Sequence, residues 1–193
     1  MKQNYHEIEK IREFAKSYGL KNAILAWDIR PMNDGNQTPL QCRVSPYEAF
    51  YIERNDEERR TFWDALAFHK ELAKPTKRQK EQMLYPCAIA QQFVFITHDG
   101  HMQGCVKAVE PRYDLLHGNF EEGWRYLGEE LAYKKASEEF LCLSCSKFRY
   151  CGQCTAAFAD ENGNPEKPVD FYCQYGELLE QYMKKKRMEK EMF

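Results

Sequence analysis

No apolar run in this chain of 193 residues approaches the ~20 needed to cross a bilayer, and the opening Met-Lys-Gln-Asn-Tyr-His carries no apolar signal segment. Both absences predict a soluble, cytoplasmic protein with no membrane partner. An excess of charge is also missing, since 28 basic and 30 acidic residues leave a formal net charge of −2. Such a balance makes no field that gathers polyanions, and no basic recognition helix is evident, so nucleic acid is not an expected partner. Internal repeats and low-complexity tracts are absent. With 43% hydrophobic and 14% aromatic residues, the chain can bury a real core in one compact domain or two small ones.

Against these absences stand eight cysteines, seven of which form an ordered series: Cys87, Cys105, Cys142, Cys145, Cys151, Cys154 and Cys173. Four disulfides are conceivable. A chain without an export signal, however, usually meets a reducing compartment, where such spacing belongs to a metal site. Cys142-Leu-Ser-Cys145 and Cys151-Gly-Gln-Cys154 are two C-x-x-C knuckles only five residues apart. A zinc ribbon sets its knuckles ~15–20 residues apart so that two hairpins close on one ion. Closer interleaving is the habit of ferredoxins, in which the last cysteine of a run serves the other cluster.

Local patterns place these thiols in an α+β chain. Residues 4–18 carry Ile8, Ile11, Phe14, Ala15 and Tyr18 at helical spacing, and Gly19 supplies a left-handed stop. Residues 23–27, Ala-Ile-Leu-Ala-Trp, are nearly continuous in apolar character, which suits a strand covered on both faces; a single helix cannot cover both. The segment therefore reads as the end of a larger α/β unit, or as a strand joining the later hairpin in a small mixed sheet. Ser45-Pro46-Tyr47-Glu48 is a capping box with proline at the first helical position. Asn55 or Asp56 starts a further helix through Phe62, Leu66 and Leu72, ending at Lys74-Pro75, and a short helix spans residues 76–84. Residues 93–97 and 101–108 form a β-hairpin around His98-Asp99-Gly100. Asn119 caps a helix through Glu121, Trp124, Leu127, Leu131 and Tyr133. After the turn at Asn162-Gly163-Asn164-Pro165, a last helix begins near Tyr172.

The order of Cys87, Gly100, Cys105, the four-cysteine run and Cys173 resembles the SPASM domain, the auxiliary-cluster extension that follows the barrel of many radical S-adenosylmethionine enzymes modifying peptides and proteins. The likeness extends to His117-Gly118-Asn119-Phe120-Glu121-Glu122 and to the knuckle Tyr150-Cys151-Gly152-Gln153-Cys154. Gly19-Leu20, Trp27-Asp28-Ile29-Arg30-Pro31, Asp34-Gly35 and Leu40 to Ser45-Pro46 resemble the closing strand of that barrel and its linker. The resemblance implies three parts: a barrel remnant over residues 1–45, with a helix and strand of a partial TIM barrel; a helical linker over 46–85; and a cysteine-rich cluster domain with a hairpin and flanking helices over 86–193. The C-x-x-x-C-x-x-C loop that holds the catalytic cluster and S-adenosylmethionine occurs nowhere in the chain, so no cleavage of that cofactor is expected from it alone.

Carried over by position, the resemblance implies two 4Fe-4S clusters. Cys87, Cys105 and Cys154 would hold the first, with an open or exogenous fourth ligand favoured over Cys42. Cys142, Cys145, Cys151 and Cys173 would hold the second. The family usually has three residues between the last two cysteines of the run, and this chain has two. Implied roles are electron relay and substrate anchoring beside a radical SAM core chain and a peptide or protein substrate. The alternative is a zinc-stabilised peptide-binding module without redox function. His98 and His101 read as turn histidines, and Trp27, Trp63 and Trp124 as core or interface aromatics. Lys184 to Arg187 reads as a solvated helix end, and Asp28 and Arg30 as residues of the barrel face.

Overall fold

A computed structural model describes residues 1–20, 28–69, 74, 76–152 and 154–191. The architecture is α+β. Its sheet is small: β1 (Phe95–Ile96), β2 (His101–Gln103) and β3 (Arg112–Asp114) run antiparallel in the order β1-β2-β3. Phe95 faces Gln103 across the first pairing and Met102 faces Tyr113 across the second. Gly100, at φ +83°, takes the left-handed turn position that side chains resist. The expected hairpin is present with shorter strands, and β3 is an addition to it. The strand expected over residues 23–27 falls outside the described residues, as do Leu72, Pro75 and Gln153.

Capping chemistry sets most helix starts. A 3-10 turn over Tyr5–Glu7 leads into α1 (Ile8–Ser17). Ser45 and Glu48 exchange both bonds of the capping box that opens α2 (Pro46–Asn55). Asp56 then caps α3 (Glu57–Ala67), accepting from the Arg59 amide at 2.8 Å. Thr76 opens the single turn α4 (Lys77–Lys80). Asn119 caps α5 (Phe120–Leu127), which continues as a wider π turn over Gly128–Ala132. Gly163, at φ +68°, closes α6 (Thr155–Asn162), and α7 (Asp170–Glu191) is the longest helix described.

Two phases differ from the sequence expectation. Phe62 points outward, 56% exposed, and α3 instead buries Trp63 and Ala67. The cause is an aromatic cluster, with Trp63 stacked on Phe50 of α2 at 5.6 Å and set edge-on to Tyr182 of α7 at 5.6 Å. Second, α7 runs past Lys184 to Arg187, so this basic run is not the helix end. Lys184 pairs with Glu180, Lys186 lies 3.4 Å from Asp64, and Arg187 donates to the Tyr150 hydroxyl at 2.9 Å.

One apolar cluster joins Val44, Phe50 and Trp63 to Leu84, Ile89, Met102, Leu127, Leu131, Phe158, Tyr172 and Met183. Gly104 is required where β2 passes this cluster, because a Cβ there would stand 2.4 Å from Leu131 and 2.8 Å from Ile89. α1 contributes nothing to the core: none of its residues is buried, and Phe14 is 65% exposed. Among the described residues no helix is long and apolar enough to cross a membrane.

Candidate metal centres

None of the eight cysteines is in a disulfide. Each expected thiol sits at an end or a tight turn rather than inside an element. Cys142 lies within the short 3-10 turn Leu141–Ser144 and Cys145 between it and the next, Ser146–Arg149, with the Cys145 amide donating to the Cys142 carbonyl at 3.2 Å. The Cys151 amide caps the second turn through the Lys147 carbonyl at 3.1 Å. Cys173 lies in the first turn of α7.

The thiols act on one another in two sets. Burial first, and then the thiolates of Cys151, Cys173 and Cys145, push the Cys142 thiol up to about 12. Burial and Cys145 likewise raise Cys173, against the pull of the Lys147 ammonium. In the other set Cys154 is raised by burial and by Cys105 and Cys87, while an Ala157 amide and the Lys107 ammonium pull it down. Like charges brought near one another disfavour each other's ionised form in this way.

A buried tyrosine belongs with Cys87, Cys105 and Cys154. Tyr85 is held up at about 12 by burial and then by Cys154, Cys105 and Cys87. Cys105 follows the end of β2, its carbonyl held by the buried Gln103 side chain at 2.8 Å and its sulfur by the Ala108 amide at 3.3 Å. Cys154 caps α6. Cys42 stands elsewhere, accepting from the Gln3 side chain at 3.3 Å. It is not among the thiols acting on Cys154 or Tyr85.

The set of Cys142, Cys145, Cys151 and Cys173 depends on a glycine that spacing alone did not single out. Gly176 sits one turn after Cys173 on α7, and a Cβ there would meet Cys151 at 2.5 Å from its Cβ and 2.9 Å from its Cα. Its missing side chain lets the buried Cys151 lie against the helix that bears Cys173. The signal in the sequence is the three-residue interval, which puts both positions on one helix face.

Among the described residues, no three histidine, cysteine, aspartate or glutamate side chains converge closely enough to hold one metal ion. A tetrahedral zinc at bonds of about 2.3 Å needs its sulfurs about 3.8 Å apart. Soft thiolates at chain turns are nonetheless the donor set of iron–sulfur clusters. A second feature also suits a missing polar group: the hydroxyl of Thr155, next to Cys154, is 1% exposed and has no hydrogen-bond partner. Buried hydroxyls rarely stay unpaired without a bound species or water to receive them. Four-iron clusters supply one-electron chemistry when bound; the residues here would hold them, supply amide donors to Cys105 and Cys154, and set cations beside each set.

The remaining candidates have structural partners. His101 lies 3.2 Å from Asp99, and His98 is exposed. Trp124 stacks on Phe120 at 5.8 Å; Trp27 lies outside the described residues. Asp28 and Arg30 are both paired with other parts of the chain. Asp28 binds the Lys107 ammonium and accepts from the Tyr172 hydroxyl at 2.9 Å, while Arg30 reaches Asp160 and the Val106 carbonyl. Arg43 adds a two-pronged pair with Glu161 at 2.6 and 2.9 Å, its guanidinium 4.3 Å over Phe171. The segment bearing residues 28–43 is thereby clamped onto α6, α7 and the turn after Cys105.

No protein-family model, no curated protein and no solved structure matches the chain.

Proposed function

We propose that this chain is an iron–sulfur protein whose seven thiols hold two clusters. More particularly, it acts as the auxiliary-cluster domain of a radical SAM peptide or protein maturase, relaying electrons and anchoring substrate, and is not catalytic alone. The observation that carries the reading is the division of the thiols by mutual influence: Cys145, Cys151 and Cys173 act on Cys142, and Cys87 and Cys105 act on Cys154. This is the same partition that the SPASM resemblance implies. With Cys42 tied to Gln3, the first cluster keeps a fourth position for an exogenous ligand. A core chain bearing C-x-x-x-C-x-x-C would supply the missing S-adenosylmethionine chemistry.

Anaerobic purification tests the proposal. A brown protein with broad visible absorption and near-equal iron and sulfide supports it, as does co-purification with a chain carrying the missing motif. A colourless, fully folded zinc protein rejects it in favour of a zinc-stabilised peptide-binding module.

A further inference from the structure

The basic run Lys184 to Arg187 lies within α7 rather than at its end, and two of its residues line a cleft remote in role from the thiols. Residues of α2, α3 and α7 enclose a cavity of about 320 Å³ there, at the small end of the range for ligand pockets. Its floor is apolar. Phe50 is 7% exposed and stands edge-on to Tyr182 at 6.2 Å, and Leu178 lines the cavity with them. Its rim is cationic: Arg54 of α2, Arg60 of α3, and Lys185 and Lys186 of α7 all border it, against one carboxylate among the described lining residues, Glu189.

The four cations are not equally committed. The Lys186 ammonium lies 3.4 Å from Asp64 and 5.7 Å over the Tyr182 ring, whose hydroxyl donates to the other Asp64 oxygen at 2.5 Å. Lys185 is 4.0 Å from Glu189, a long contact between two well-solvated groups. The exposed side chains of Arg54 and Arg60 have no ion pair or hydrogen bond with any described residue. Both act on the floor, since their charge favours ionisation of the Tyr182 hydroxyl against burial and Asp64.

Two helices thus present two unpaired guanidinium groups over an apolar floor. Cations gathered without counter-charge repel, and an anion placed among them relieves that cost. Each guanidinium is a planar fork of donors that grips phosphate or carboxylate in two-pronged fashion. Two free forks match a dianion better than a single carboxylate, and a phosphorylated hydroxyl carries about −1.5 to −2 charge at pH 7. We propose that this cleft is a binding site for a small phosphate monoester with an aromatic or apolar body, its phosphate held by Arg54 and Arg60 and its body laid on Phe50, Leu178 and Tyr182. Lys185 adds attraction at the rim, partly cancelled by Glu189. The site is independent of the cluster reading, which its failure would leave intact.

The test is isothermal titration calorimetry of the full chain, purified anaerobically, with phenyl phosphate, inorganic phosphate and benzoate as probes. Phenyl phosphate is expected to bind about tenfold or more tighter than either of the others, because it alone uses both the forks and the floor. Arg54→Met and Arg60→Met each weaken it by about tenfold or more, through loss of hydrogen bonds between charged groups. Lys185→Met weakens it less, and Glu189→Gln strengthens it by removing the opposing carboxylate. Lys80→Met, on α4 and outside the cleft, leaves it unchanged. The proposal is overturned by the absence of saturable binding, by equal affinity for the three probes, by arginine variants that bind like the wild type, or by an equal loss in Lys80→Met. If an arginine variant does not fold, Glu189→Gln decides by the presence or absence of its tighter binding.

Discussion

Replacing Gly176 by alanine sets two physical effects against each other. Helix propensity alone favours alanine by about 0.8–1.0 kcal/mol in a helix interior, and Gly176 lies inside α7. The new methyl, however, would stand 2.5 Å from the Cys151 Cβ and 2.9 Å from its Cα, against ordinary carbon contacts of about 3.5–4.0 Å. The chain carrying Cys151 must therefore retreat by about 1 Å. Overpacking of this kind costs about 1–3 kcal/mol, which exceeds the propensity gain. Metal ligands tolerate about 0.2 Å, so the second cluster suffers more than the fold. The expected outcome is loss of about half the iron and sulfide, with the first cluster retained, read by metal analysis and electron paramagnetic resonance. Gly163→Ala is the control, since a Cβ there meets nothing within 4 Å and only strains a φ of +68°. A Gly176→Ala protein that melts higher and keeps its full iron refutes the reasoning.

Arg43→Ala leaves Glu161 buried without its partner, the pair being 11% and 6% exposed, and is expected to cost about 3–5 kcal/mol in chemical denaturation; Arg43→Lys should recover only part, because lysine cannot form the two-pronged pair. Metal-free chain should lose stability as pH rises. With Cys142 pushed from 9.0 up to about 12, the unfolded chain sheds that proton first, so its contribution is complete below about pH 9 and declines toward about 12. Melting temperatures between pH 7 and 10.5 check this, and a Cys142→Ser chain should show a shallower decline. Ser45→Ala removes the hydroxyl that accepts from the Glu48 amide, leaving the bond from the residue-45 amide to the Glu48 carboxylate, and should destabilise by about 1 kcal/mol, measured by thermal melting.

What the sequence made legible is what neighbouring residues decide. Ser45 with Glu48, Asn119 and the left-handed stop at Gly19 act within one helical turn, and each appears where expected; Gly163 was legible only as part of a turn, and the helix α6 that it closes was not. The hairpin turn at Gly100 follows the same logic. Strand β3 escaped because Arg-Tyr-Asp is too short and too polar to show alternation; it exists through pairing with β2. The inward face of α3 escaped because Tyr182, 119 residues beyond Trp63, helps set its rotation. The apolar stripe of α1 was legible as a stripe, yet nothing local could say that the described fold leaves Ile11, Phe14 and Tyr18 exposed. Cysteine spacing, with the family resemblance, pointed to two thiol sets. The residues that flank them did not show, since Lys107 meets Asp28 across 79 positions and Tyr172 meets it across 144.

Mössbauer spectroscopy of anaerobically purified chain enriched in iron-57 tests the central claim most directly. Two bound four-iron clusters predict about eight irons per chain, all in cluster environments. A fully folded chain with no cluster iron, or with a single cluster and the other thiol set reactive toward alkylation, would contradict it.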